Sequence, residues 1–141
     1  MDRYAGRISG PLRDRIDLWV HMPRVKPEEY IGAASPEGTE AVATRIAEAR
    51  TIQLSRQGCL NSGLSGRALR AHCRLTQSAQ AHAIRLADLE GTSARGTERL
   101  LRVARTAADL TAAETVGPAH LDEAAHFRAP GPSRGSWGAV G

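Results

Sequence analysis

From Val42 to Leu110 the apolar side chains return every three or four residues, and most of them are small or aliphatic. That period places them along single faces of helices, so the chain is committed to helices that pack closely on one another. Val42, Ile46, Ala49 and Ile52 form the first stripe, which Gly58 closes. Leu69 and Cys73 stand one turn apart in a shorter helix expected over about 65–75. Ala79, Ala83 and Leu86 mark the inner face of a third over about 77–90. Leu100, Val103, Ala104, Ala107 and Leu110 give the longest pattern, over about 94–112, and Pro118 opens a fifth helix. Aromatic residues make up only 4% of the 141 residues, so the core is built from alanine and leucine rather than from large rings.

One segment breaks the helical period. Ile16-Asp17-Leu18-Trp19-Val20-His21-Met22 alternates with period two up to Pro23 and reads as a strand. A lone strand leaves its backbone groups unpaired, which implies the edge of a sheet whose remainder lies elsewhere. Pro23, Pro27, Gly32, Pro36 and Gly38 then read as a loop or linker. After Arg128 the sequence APGPSRGSWGAVG holds too little apolar material to offset the entropy of ordering and reads as a disordered tail, with Trp137 exposed within it.

No apolar run reaches the roughly 20 residues that cross a bilayer, and the N-terminus carries no signal-peptide core, so a cytoplasmic protein without membrane contact is expected. Cys59 and Cys73 are expected to be reduced thiols. The histidines have no spacing that suits a metal, and no metal site is expected. There is no phosphate-binding G-x-x-x-x-G-K-[ST] loop, no acidic strand end for magnesium and no G-x-S-x-G elbow, so this chain assembles neither nucleotide hydrolysis nor acyl transfer by itself.

The net charge of +4 is carried almost wholly by arginine, whose planar fork matches phosphate. In RISGPLRDRIDL, residues 7–18, Ser9 and Pro11 suit a short helical turn that delivers Arg15 just before the strand. Arg15 there either reaches a phosphate across a subunit boundary or pairs with Asp14 or Asp17. In TSARGTERLLRVARTAADL, Thr92 or Ser93 caps a helix and Arg95 falls in its first turn, where a cation is disfavoured unless an anion sits beside it; the alternative is an ordinary solvent-facing arginine. Arg99, Arg102 and Arg105 recur every three residues and line either a nucleic-acid groove or a solvated face.

Together these segments resemble the magnesium-chelatase-like AAA+ ATPases, and the competence-type branch of that family in particular. The family carries a stretch like R-I-S-G-P-L-L-D-R-I-D-L before its last core strand, with Arg13 here replacing an apolar residue. Its first lid helix ends in a pattern like A-R-x-x-Q, matched by Ala49, Arg50 and Gln53, and its later lid helices match SARGTERLLRVARTAADL, His120-Leu121 and Glu123-Ala124. The resemblance implies a mainly α fold: a helical lid bundle preceded by one terminal strand of an α/β core that is not in this chain. It divides the chain into the end of that core over 1–24, a linker over 25–38, the lid over 39–128 and the tail over 129–141.

By the same resemblance Arg15 is the arginine finger, acting in trans, and Arg95 is the lid arginine called sensor 2, which contacts the ATP phosphate. The intact protein would be a homo-oligomeric, hexameric ring that uses ATP with magnesium to process DNA, as in branch migration during transformation. The part read here would bind no cofactor alone. The other readings are a magnesium chelatase motor subunit and a non-catalytic helical interaction module.

Overall fold

In the computed structural model the described residues are 12, 15–32, 37–89 and 91–128. The helices run α1 (Pro27–Gly32), α2 (Thr39–Gln57), α3 (Gly66–Cys73), α4 (Gln77–Leu89), α5 (Ala94–Leu110) and α6 (Pro118–His126), with a 3₁₀ turn at Asn61–Gly63. The five expected helices form within a few residues of their predicted bounds, and each end has a chemical cause. Gly58 adopts the left-handed conformation, φ 73°, that closes α2 and returns its N–H to the Leu54 carbonyl. Ser93 Oγ accepts the Gly96 N–H at 3.2 Å and starts α5. Thr76 Oγ1 does the same for Ala79 at 3.1 Å at the start of α4. Pro118 occupies the first turn of α6, where its missing N–H costs nothing, and His120 Nδ1 turns back to accept the Gly117 N–H at 3.1 Å.

Helix α5 is the axis of the bundle, packed by α2, α3, α6 and the 3₁₀ turn, while α4 leans on α6. Ala79, Ala83, Ala104, Ala108 and Ala124 lie at these crossings and are buried, so the helices approach closely, and Leu69, Leu100 and Leu121 fill the spaces between them. Each fully buried leucine contributes about 2 kcal/mol by leaving water. The α3–α4 and α5–α6 loops are fastened to each other: Leu75 and Val116 form a parallel bridge, with Val116 N–H donating to the Arg74 carbonyl at 3.0 Å and Thr76 N–H to the Val116 carbonyl at 3.1 Å.

Three expectations are revised. No strand forms among the described residues, and 16–26 adopts no regular element. The period-two segment has no second strand-forming segment to pair with there; its Trp19 N–H donates instead to the Phe127 carbonyl at 2.8 Å, at the end of α6. Within the breaker-rich stretch, 27–32 is helical as α1, since Pro27 is preset for a first helical turn and Glu28 suits its positive end. The α2 stripe is buried only at its C-terminal end. Ala49 is 4% exposed whereas Ile46 is 45% exposed, because the bundle covers the lower turns of α2 alone. Ser9, Pro11, Arg13, Asp14 and the tail with Trp137 lie outside the described residues.

Candidate functional site

The most densely bonded region of the molecule is a buried polar knot that the sequence reading did not identify. Asp109, 2% exposed near the end of α5, faces three donors. Arg56 of α2 grips it with both terminal nitrogens, at 2.6 and 3.0 Å. Asn61 Nδ2 reaches its Oδ2 at 2.8 Å, and Arg105, one turn back on α5, reaches its Oδ1 through Nε at 3.1 Å. Arg105 is fully buried, and its remaining N–H groups go to backbone: the carbonyls of Cys73, Ala113 and Glu114. Gln53 completes the knot by accepting the Asn61 N–H at 2.9 Å.

Burial alone would raise the Asp109 pKa. The hydrogen bonds from Arg56 and Asn61 and the charges of both arginines overcome it and hold the carboxyl below the usual carboxylate range. Burial also pushes the Cys73 thiol up to about 11, against the opposing charge of Arg105 and Arg56, so this cysteine stays protonated and unreactive near neutral pH. Both cysteines are free thiols.

This knot corrects the reading of the arginines spaced by three. Arg105 is a structural cation at the centre of the bundle, and Arg99, 6% exposed, is buried too, so the two do not form an outward face with Arg102. Arg102 is half-buried and bonds the Leu64 carbonyl at 3.2 Å. The three positions meet different neighbours, the N-terminal segment, the 3₁₀ turn's C-terminal flank and the end of α3, because this helix is buried around most of its circumference.

Arg99 does have a positional role. Its guanidinium donates to the Ile16 carbonyl at 2.8 Å, and with the Trp19–Phe127 bond this straps residues 16–19 across α5 and α6. Arg15 precedes the strapped residue, in a turn where its N–H donates to the Leu12 carbonyl at 3.0 Å. The Arg15 side chain is exposed, and among the described residues it has no ion pair; Asp17 turns toward Arg102 at 4.0 Å instead. Beside the strap lies a cleft of about 330 Å³ lined by Leu18, Val103, Leu110 and Phe127 and by two charges of each sign, Asp17 and Glu123 with Arg99 and Arg102.

Arg95 stands one turn before Arg99, about 40° around α5 by helix geometry, in the first turn of the helix as expected. It is exposed and has no side-chain partner among the described residues. A second guanidinium arrives from the end of α6, where Arg128 Nη2 donates to Thr92 Oγ1 at 2.9 Å. Two cations therefore gather where the helix dipole is already positive, a combination that favours an anion. Arg15 and Arg95 are linked through Arg99 and do not bond each other. Among the described residues no group of three His, Cys, Asp or Glu side chains is placed to hold a metal.

The start of α5 tolerates no added atom at Gly96. A methyl there would stand 2.5 Å from Thr92 Cγ2, and Thr92 is held in place by Arg128. Gly96→Ala should therefore lower stability by about 1 kcal/mol or more, since the clash exceeds the gain of roughly 1 kcal/mol that alanine brings to a helix. Urea unfolding of the chain measures this. Adding Thr92→Ser, which removes Cγ2 and keeps the hydroxyl, should restore most of the loss; if it restores none, the clash is not the cause.

Residues 36–128 match the family described as magnesium chelatase, subunit ChlI C-terminal, and residues 1–30 match magnesium chelatase, subunit ChlI. The chain is 39% identical over 129 residues to Uncharacterized protein YifB of Salmonella typhimurium and 37% identical over 134 residues to YifB of Escherichia coli. It is 31% identical over 128 residues to Competence protein ComM of Haemophilus influenzae. Each of these similarities covers 90% of this chain and 25% of the relative, so the chain spans about a quarter of the length of the curated relatives it matches.

Proposed function

The chain belongs to the magnesium chelatase ChlI family, matching its C-terminal region, and from that membership we propose that it is the lid of a ring-forming AAA+ ATPase that processes DNA. The observation that carries this reading is Arg95, an exposed cation in the first turn of α5 with Arg128 brought to the same helix end. That donor set suits the terminal phosphates of ATP, which would supply the negative charge this helix end lacks. Arg95 would hold a phosphate oxygen of the nucleotide bound by its own subunit, as sensor 2. Through α5 it would pass the loss of that contact to the knot around Asp109. Arg15 would reach the nucleotide of the next subunit, its backbone held steady by the Arg99 bond to Ile16. Magnesium and the remaining phosphate ligands would come from a core domain, in a homo-oligomeric ring.

The name of the Haemophilus influenzae relative, Competence protein ComM, favours DNA as the object of the work. A magnesium chelatase motor is the second reading, favoured by the family description itself. A chimera in which this chain replaces the matching quarter of ComM tests the proposal. It should hydrolyse ATP, and Arg95→Ala should reduce the maximal rate about 10²-fold, the loss typical of removing one preorganised donor to developing charge. An Arg95→Ala chimera that turned over ATP at the parental rate would remove the sensor 2 role.

A further inference from the structure

The sequence spreads its basic residues widely, but the fold does not. No acidic residue stands between Glu48 and Asp88, while Arg50, Arg56, Arg67, Arg70, Arg74 and Arg85 all do. Arg56 is consumed by the buried knot and Arg85 bonds His82 at 3.2 Å. Arg67, Arg70 and Arg74 remain, spaced along α3 and its C-terminal cap. They differ by at most about 60° around the helix axis and rise about 10 Å from first to last. Of the buried residues of α3, Leu69 lies roughly 100° or more from each arginine, and Cys73 about 60° from Arg70 and 100° or more from the other two. All three arginines are exposed, and none has a side-chain hydrogen bond or ion pair among the described residues. Arg74 moreover adopts a left-handed conformation, φ 48°, at a helix end where glycine is the usual occupant.

From this row we infer that α3 is a contact surface for the sugar–phosphate backbone of DNA. Between the arginines α3 presents only the small exposed Ala71, and on the α4 side Arg70 borders a cleft that Ile84, Ala87 and Leu101 also line. Protein partners are gripped by apolar and aromatic anchors, which the row of three arginines does not itself offer. A regularly charged polymer needs only cations at comparable spacing and a flat surface between them, which α3 provides. The surface is separate from Arg15 and Arg95, and it rests on the reading above only in taking DNA as the polyanion.

Binding of the full 141-residue chain to a fluorescein-labelled 20-base-pair duplex, followed by anisotropy between 50 and 200 mM NaCl, tests it. Three phosphate contacts give a log–log salt slope of about −2.7, which is roughly a 40-fold loss of affinity across that range. The combined substitution Arg67→Gln, Arg70→Gln and Arg74→Gln should bring the slope close to zero, with a circular dichroism melt matching the parent. Replacing Arg45 and Arg50 on α2 by Gln should leave the slope in place. A parent chain with no salt-dependent binding, or a triple variant that binds like the parent, would overturn the inference. So would polyglutamate of equal charge displacing the duplex more strongly than unlabelled DNA, which would assign the face to an acidic protein. Neither result bears on ATP turnover by the chimera, so the two proposals fail separately.

Discussion

Asp109→Asn should cost about 3–5 kcal/mol of folding stability, a loss that guanidinium chloride unfolding of the chain would register as a large drop in midpoint. The isosteric change removes one charge and turns an amide toward three donors. Arg56 and Arg105 then lie buried with their counter-charge gone, and uncompensated buried charge is what makes breaking such a pair expensive. The loss reaches beyond one contact, because the knot ties α2, the 3₁₀ turn, α5 and, through Arg105, the last carbonyl of α3 and the α5–α6 loop. Domains of this size are stable by only about 5–15 kcal/mol, so the variant should sit near the edge of folding. The pH dependence has the same origin. A carboxyl whose folded pKa lies below its unfolded value stabilises above the unfolded pKa, near 4, and that contribution fades as pH falls through the folded pKa. The parent should lose stability in acid over that window, and Asp109→Asn should lose less. A variant as stable as the parent at neutral pH would show that the knot is decorative.

Arg15→Ala in the ComM chimera should lower ATP turnover by about 10³-fold or more, the range in which a trans-acting guanidinium works on phosphoryl transfer. The effect should depend on assembly: mixing the variant with subunits that carry Arg15 but cannot bind nucleotide should restore part of the activity, since the finger serves its neighbour. The Arg99 bond makes a second, graded expectation. Arg99→Met keeps the length of the side chain and frees the Ile16 carbonyl, so it should lower turnover less than Arg15→Ala while leaving nucleotide binding intact. Full activity in Arg15→Ala would end the finger assignment.

The helices were legible because they are locally encoded. Ser93, Gly58 and Pro118 each fix an end by their own chemistry, and Ala79 and Ala83 of α4 and Leu100, Ala104 and Ala107 of α5 lie on the buried faces as their spacing implies, whereas Leu110 at the end of the α5 stripe is 39% exposed. The exposures of Arg15 and Arg95 agree with what their positions at a turn and a first helical turn imply. The knot was not legible, because its members are distant: Arg56 meets Asp109 across 53 residues and Asn61 meets it across 48. Spacing by three made Arg99, Arg102 and Arg105 look like one outward face, yet helix α5 is covered on several sides and periodicity reports a face only when one side is dry. One local signal was available. Gln53 in the alanine-rich stripe of α2 and Asp109 one turn from Arg105 are polar residues at positions with the period of the core, and such residues are buried only with partners. The period-two segment is a different case: alternation describes a segment that suits a sheet, whereas sheet formation requires a neighbour, and the described residues hold none.

The bridge between Leu75 and Val116 has a mechanical consequence. Two helical hairpins joined only by side-chain contacts can slide or splay under load, but clamping their connecting loops together removes that freedom. A load entering at the start of α5 would therefore meet connections that resist internal shear.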